Sequence, residues 1–104
     1  MMYNRLWREV IIVVYMISYD LKAPGRNYDD LYKEIKSFGD YVKCLESQWF
    51  VDTNKNESEI FVKLQTKIDA SDSLFVLRLI KGYRGVINKP AVDWLVAHAV
   101  QIFT

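Results

Sequence analysis

One run of apolar residues near the start of the chain constrains the fold more than any other feature. Residues 10–19 read VIIVVYMISY, which is rich in β-branched and aromatic side chains and does not alternate with polar ones. A continuous run of this kind is typical of a central strand that is covered on both faces. It is too short to span a bilayer, which takes about 20 apolar residues. The run therefore predicts a buried central strand, preceded by an N-terminal extension over residues 1–9.

The remaining chain alternates between helical and strand patterns. Asn27 is a suitable N-cap for a first helix, and Gly39 is a natural end for it. Asn56 followed by Glu59 resembles a capping box at the start of a second helix. Residues 73–80 (SLFVLRLI) predict the last core strand. A third helix is predicted from Pro90, with its apolar positions at helical spacing: Val92, Leu95, Val96 and Ala99.

The segment from Tyr41 to Asp52 changes the phase of its apolar residues near Glu46 and Ser47. A strand changes faces only at a turn or a bulge. Two short strands with a tight connection explain the change, and one long bent strand is the alternative.

The predicted element order is thus βαββαβ, which an antiparallel sheet with both helices on one face satisfies. We expect an α+β, ferredoxin-like sandwich as a single domain over residues 10–104. The C-terminal helix is an addition to it, and residues 81–89 are a candidate for an extra edge strand. Open sheet edges favour pairing with another chain, so a homodimer is expected.

Charge and cysteine content narrow the functional classes. The 14 basic and 13 acidic residues give a net charge of +1, so any nucleic-acid site must be a local patch. The single cysteine, Cys44, excludes an intrachain disulfide and favours a reducing, cytoplasmic location. No membrane partner is expected, because the apolar run is too short to span a bilayer and the net charge gives no attraction to anionic lipid. Cys44 and His98 do not form a convincing nucleophile and base, because no third group is evident to orient the histidine.

The chain resembles the small SinR-like bacterial proteins, which are related to the CRISPR-associated Cas-two family and to VapD-type proteins. The resemblance covers roughly residues 10–98, and these residues carry it: Met16 to Leu21, Pro24, Gly25, Tyr28, Leu31, Tyr32, Ile35, Leu45, Ser47, Trp49 to Val51, Ile68, Asp69 and Asp72. It implies a ferredoxin-like fold that is usually dimeric.

The resemblance also implies a site at Asp20, the residue that matches the strand-ending aspartate of Cas-two proteins. That aspartate lies near its symmetry mate in the dimer and is linked to divalent metal and to cleavage of RNA or DNA. Asp20 is thus the candidate catalytic and metal-binding residue, with Mg²⁺ or Mn²⁺ as the cofactor. The chain departs from that family at residues 21–26, which are not arginine-rich, and after Ser47, where the usual aromatic-acid pair is absent. The alternative for Asp20 is a turn residue before Pro24 and Gly25.

Basic residues flank the predicted strand ends and are candidate contacts for nucleic-acid phosphates: Lys22, Arg26, Lys81 and Arg84. Their alternative is an ordinary solvated surface. The first functional hypothesis is a Cas-two-like nucleic-acid-associated protein, a candidate metal-dependent endonuclease. The second is a non-catalytic interaction protein, such as an antitoxin, immunity or regulatory subunit with a protein partner. A small-ligand sensor is a third and weaker reading.

Overall fold

The computed structural model describes residues 11–103, which form one four-stranded antiparallel sheet and four helices. The strands are β1 (Val13–Asp20), β2 (Tyr41–Leu45), β3 (Gln48–Thr53) and β4 (Ser73–Arg78). The helices are α1 (Asp29–Lys36), α2 (Glu57–Gln65), α3 (Lys89–Ala97) and α4 (Ala99–Phe103). The elements follow each other as β1, α1, β2, β3, α2, β4, α3 and α4, and the strands lie in the order β2-β3-β1-β4. The fold class is therefore α+β.

The apolar run identified in the sequence forms β1, which lies inside the sheet between β3 and β4. The strand begins at Val13, later than predicted, and Ile11 and Ile12 before it are exposed. Val10, the extension over residues 1–9 and Thr104 lie outside the described residues. Side chains of β1 are buried on both faces of the sheet, which explains why the run does not alternate with polar residues.

Each face of the sheet has its own apolar core. The first face packs against α1 and α2, and its core consists of Val13, Tyr15, Ile17, Tyr19, Leu31, Ile35, Phe38, Trp49, Val51, Ile60 and Leu64. The second face is covered by α3 and α4, and its core consists of Val14, Cys44, Phe50, Leu79, Ala91, Trp94 and Ile102. The molecule thus has three layers, with the sheet in the middle.

The change of phase between Tyr41 and Asp52 is a hairpin, as the first of the two interpretations predicted. Glu46 and Ser47 connect β2 and β3, and the pairing register shifts by one residue between Lys43 and Leu45. Val42 and Cys44 lie on the same face of β2 and both pack against the second core, whereas Trp49, opposite Lys43, faces the first.

Local signals in the sequence account for the helix ends. The capping box of α2 is present: the Asn56 side chain accepts a hydrogen bond from the Glu59 N–H, and the Glu59 side chain accepts one from the Asn56 N–H, both at 2.9 Å. Asn27 lies one residue before the N-cap position of α1 and accepts a hydrogen bond from the Asp29 N–H. Gly39 follows α1, but the structure requires a glycine there because of a close approach and not because of the helix end. A Cβ atom at this position would collide with the backbone carbonyl oxygen of Asp52.

The segment between β4 and α3 forms no strand in the described chain, in contrast to the candidate edge strand at residues 81–89. β4 lies at one edge of the sheet, whereas the N-cap of α3, Asn88, binds the backbone of β2 at the other edge. Residues 79–88 therefore cross the second face of the sheet and do not run beside an edge.

The buried face of α3 does not coincide with the apolar positions at helical spacing that the sequence shows. The side chains directed into the core are Ala91, Trp94 and His98, while Val92 and Val96 are 44% and 72% exposed. The helix carries two adjacent apolar stripes, and periodicity alone does not show which of them is packed. Pro90 lies in the first turn, as predicted.

Candidate functional site

Asp20, the sequence-predicted metal ligand, ends β1 opposite Ser73 of β4. Its side chain is 66% exposed, and its carboxylate lies 3.3 Å from the ammonium group of Lys22. In the described part of the chain, no group of three histidine, cysteine or acidic side chains is placed to hold a metal ion. One carboxylate beside an ammonium group does not make a Mg²⁺ site, so the residues described around Asp20 in one chain do not form one by themselves.

Lys22 and Arg26 lie at the same end of the sheet as Asp20, where both have partners within the chain. The Arg26 guanidinium lies 3.5 Å from the Asp69 carboxylate and donates a hydrogen bond to the Lys67 carbonyl. Asp72 joins the loop after β1 to the turn before β4. It accepts hydrogen bonds from the Lys22 N–H at 2.6 Å, from the Asp69 N–H and from the Tyr28 hydroxyl.

The pKa of Asp72 shows the balance of forces at this loop. Desolvation of the carboxylate raises its pKa, but the hydrogen bonds donated by the backbone N–H groups and by Tyr28 stabilise the ionised form more strongly. The net result is a pKa below the ordinary value of an aspartate. Asp72 therefore fixes the loop as an ionised group, which is a structural role.

Lys81 follows β4 at the end of the sheet opposite Asp20, and Arg84 lies further along, on the segment that crosses the second face. The register of β1 with β4 pairs Asp20 with Ser73 and Tyr15 with Arg78, so the chain after β4 emerges beside the start of β1. At about 3.3 Å per residue, the strand separates the two ends by roughly 20 Å. The four basic residues predicted as one phosphate-binding group are thus not brought together, because Lys22 and Arg26 lie at one end of the sheet and Lys81 and Arg84 follow the other end.

A second candidate site is a groove on the second face of the sheet, which we call the apolar groove. Its volume is about 630 Å³. The sheet, the crossing segment and both C-terminal helices line it with Met16, Phe50, Leu79, Tyr83, Arg84, Gly85, Ile87, Val92, Leu95, Val96, Ala99 and Phe103. The apolar positions that the sequence shows at helical spacing in this helix therefore form a wall of the groove.

Polar groups at the apolar groove are few and lie on the crossing segment. The Arg84 side chain is exposed, and within residues 11–103 no carboxylate forms an ion pair with it. Tyr83 is 42% exposed, and its ring lies 6.3 Å from that of Phe103. The arrangement is a mostly apolar concavity with one cation and one phenol at its margin.

Both ends of α3, one wall of the groove, are fixed to the β2–β3 hairpin. At the start of the helix, the Asn88 side chain caps the Ala91 N–H and donates to the carbonyl oxygens of Lys43 and Cys44. At its end, His98 is buried and stacks on Trp94, with the ring centroids 3.7 Å apart. These contacts hold the helix as a fixed wall.

The hydrogen bonds of His98 form what we call the His98 clamp. Its Nδ1 lies 2.7 Å from the Trp94 carbonyl oxygen, and its Nε2 lies 2.9 Å from a carboxylate oxygen of Asp40 and 3.3 Å from one of Asp52. All three partners are carbonyl or carboxylate oxygens, which accept hydrogen bonds, so a ring nitrogen that carries a hydrogen is the donor in these contacts. The sequence did not reveal these partners because Asp40 is 58 positions away from the histidine.

Cys44 is buried, and its burial raises the pKa of the thiol. Its Sγ donates to the Gln48 carbonyl oxygen at 3.4 Å. A thiol in this state is a poor nucleophile, which agrees with the prediction that Cys44 and His98 do not form a catalytic pair.

Comparisons with protein-family models, with curated proteins and with solved structures found no match to this chain. No helix within residues 11–103 is long and apolar enough to cross a membrane.

Proposed function

We propose that this protein is a non-catalytic binding protein, of the regulatory type, whose apolar groove accommodates a small amphipathic anion. The observation that carries the proposal is the groove itself: an apolar concavity bounded by fixed elements, with a guanidinium at its margin that no carboxylate of residues 11–103 pairs with. The apolar part of an elongated ligand would pack against the walls of the groove, and its carboxylate or similar anionic group would pair with Arg84.

The size and chemistry of the groove support this proposal. Pockets for small ligands typically have volumes of about 300–1,000 Å³ and are mostly apolar, with a few polar groups that orient the ligand. The apolar groove, at about 630 Å³, lies within that range. Val92 and Val96 form an exposed apolar surface in the groove, which stays in contact with water unless another molecule covers it.

Binding of dodecanoate and of dodecanol, measured by calorimetry and by thermal shift, tests the proposal. We expect both probes to bind, dodecanoate more tightly. Arg84→Gln should weaken the binding of dodecanoate by about tenfold, because it removes a charged hydrogen bond; tenfold is equivalent to about 1.4 kcal/mol. The affinity for dodecanol should not change. Lys81→Gln, a cation of the same segment that does not line the groove, is the matched control. The proposal is contradicted if neither probe binds, or if Arg84→Gln and Lys81→Gln reduce the affinity for dodecanoate equally.

Further proposals concern the scaffold. The βαββαβ order and the strand order β2-β3-β1-β4 support a ferredoxin-like sandwich with an added C-terminal layer. A relation to the SinR-like and Cas-two proteins, a cytoplasmic location and a homodimeric state are proposals as well, supported by the residues named above. Because folds of this type host many unrelated activities, none of these proposals determines the function.

A metal-dependent nuclease that acts on RNA or DNA is the second candidate function, with Asp20 as its site. The exposure of the Asp20 carboxylate at the end of β1 favours it, because two such groups from two copies would provide a Mg²⁺ or Mn²⁺ with more than one anionic ligand. Lys22 and Arg26 lie beside it, whereas Lys81 and Arg84 would contact a different part of a nucleic acid.

The nuclease proposal is tested with single-stranded RNA, single-stranded DNA and duplex DNA, in Mg²⁺, Mn²⁺ or EDTA. Metal-dependent cleavage that Asp20→Asn abolishes is the expected result. Asp29→Asn, an exposed aspartate in the first turn of α1, is the control and should leave cleavage intact. Cleavage that persists in the Asp20 variant, or no cleavage at all, contradicts the proposal.

A further inference from the structure

The two edges of the sheet differ in a way that points to a contact between two copies of this chain. At the β2 edge, the Asn88 side chain binds the carbonyl oxygens of Lys43 and Cys44, and a register shift interrupts the strand. At the β4 edge, no such side chain caps the strand in the part of the chain that the structure describes. Uncapped, regular edges are templates for pairing with another strand.

The hydrogen-bond pattern of β1 with β4 shows which backbone groups face outward. Leu79 donates its N–H to the Val14 carbonyl, so these two residues form a hydrogen-bonded pair. Such pairs alternate along an antiparallel ladder. Phe75 and Leu77 therefore bond to β1, while the N–H and C=O groups of Leu74, Val76 and Arg78 point away from the sheet.

The surroundings of this edge are apolar. Phe75 is 65% exposed and Val62 of α2 is 60% exposed. A depression of about 320 Å³ between α2 and β4 is lined by Glu57, Ser58, Phe61, Val62, Leu74, Phe75 and Val76. Between Ser73 and Arg78 the strand carries no charged side chain that would discourage pairing.

The charges at the two ends of β4 indicate the partner and its direction. Asp72 precedes the strand and forms no ion pair within residues 11–103, whereas Arg78 and Lys81 end and follow the strand. An antiparallel copy of the same strand places its basic end beside this acidic end, and a parallel copy places like charges together. We propose that β4 pairs with β4 of a second copy about a twofold axis, which makes one continuous eight-stranded sheet.

The pleat of the sheet and the charges at the strand ends determine the register between the two β4 strands. Opposed residues in a continuous sheet have side chains on the same face, which allows an axis at Phe75 or at Val76. With Phe75 on the axis, Leu74 pairs with the partner's Val76 and Asp72 lies opposite the partner's Arg78. With Val76 on the axis, Leu74 lies opposite that arginine, so the structure favours Phe75. The two phenylalanines then form a close, non-hydrogen-bonded pair with Cα atoms about 4.5 Å apart.

This dimer is independent of the apolar groove, and it does not bring the two Asp20 residues together. Asp20 pairs with Ser73, which lies opposite the partner's Leu77 and Met16. The two Asp20 residues are then separated by about 13 Å along the strands and about 14 Å across them, roughly 20 Å in all. A metal ion shared by two Asp20 carboxylates would need a different dimer.

Sedimentation velocity over a range of micromolar concentrations tests the proposal on the full chain. We expect twice the 12.3 kDa chain mass, with loss of the dimer in Phe75→Glu, which places two like charges on the axis. Val86→Glu, a change at a residue that is 96% exposed and lies outside β4, is the matched control and should remain dimeric. A monomer at all concentrations, or a dimer that is insensitive to Phe75→Glu, overturns the proposal.

Disulfide formation provides a readout that does not depend on a disruptive variant. Phe75→Cys should form a covalent dimer on mild oxidation, whereas the wild type, whose Cys44 is buried, should not. Val76→Cys should form it much more slowly. Rapid cross-linking through position 76 instead of position 75 overturns the register, and no cross-linking through either position overturns the β4 interface.

Discussion

Replacing His98 by alanine tests whether the His98 clamp holds the C-terminal layer on the sheet. One ring nitrogen of His98 lies within hydrogen-bond distance of the Trp94 carbonyl oxygen, and the other lies 2.9 Å from the Asp40 carboxylate and 3.3 Å from the Asp52 carboxylate. Hydrogen bonds of charged groups contribute about 1.5–3 kcal/mol, and loss of a stacked ring costs about 0.5–1.5 kcal/mol more. Because the Asp52 side chain is only 16% exposed, it loses its partner without full access to water. We expect His98→Ala to lower the free energy of unfolding by about 2–4 kcal/mol.

Urea denaturation, followed by tryptophan fluorescence, measures this loss. The matched control is Lys89→Ala on the same helix, which removes an ion pair of 2.8 Å with Asp93. The side chains of that pair are 83% and 62% exposed, so its removal should cost less than about 0.5 kcal/mol. If His98→Ala costs no more than Lys89→Ala, the clamp does not stabilise the fold and the reasoning from burial fails.

Three further changes test other parts of the structure. Asn56→Ala removes the capping box of α2 and should cost about 1 kcal/mol in thermal denaturation. Gly39→Ala forces a methyl group against the Asp52 carbonyl and should cost about 1–3 kcal/mol, whereas Gly85→Ala, which has open space at its Cβ, should be nearly neutral. Asp72 has a folded pKa below its unfolded value of about 3.9, so its contribution is present above that pH and disappears as the pH falls through the folded pKa. The stability difference between wild type and Asp72→Asn, measured by urea denaturation, should therefore shrink below about pH 4, and a constant difference contradicts this assignment.

Features encoded by neighbouring residues were the ones that the sequence predicted well. The apolar run of β1, the hairpin between β2 and β3 and the capping box at Asn56 depend on patterns within a few positions, and the structure confirms each. Such local signals follow directly from strand pleat and helix geometry.

Features that depend on which surfaces meet were not predicted. The position of α3 is decided by Asn88 and His98, whose partners are 45 and 58 positions away in the chain. The exposed stripe of α3 has the same helical spacing as a core stripe, so its pattern alone could not identify a groove. The separation of Lys81 and Arg84 from Asp20 likewise follows from the register of β1 with β4, which the basic residues themselves do not encode.

The position of α3 has a consequence for binding at the apolar groove. Asn88 and His98 fix this helix to the β2–β3 hairpin by one side, and that attachment leaves Val92 and Val96 on the side that faces the groove. A ligand that binds only the folded protein stabilises it in proportion to the logarithm of its concentration over its Kd. If the His98 clamp holds α3 in place as the wall of the groove, His98→Ala should reduce the stability of the fold. It should also lower the affinity for both dodecanoate and dodecanol. Arg84→Gln should weaken dodecanoate alone and leave stability unchanged. The two variants thus separate the role of the wall from the role of the cation.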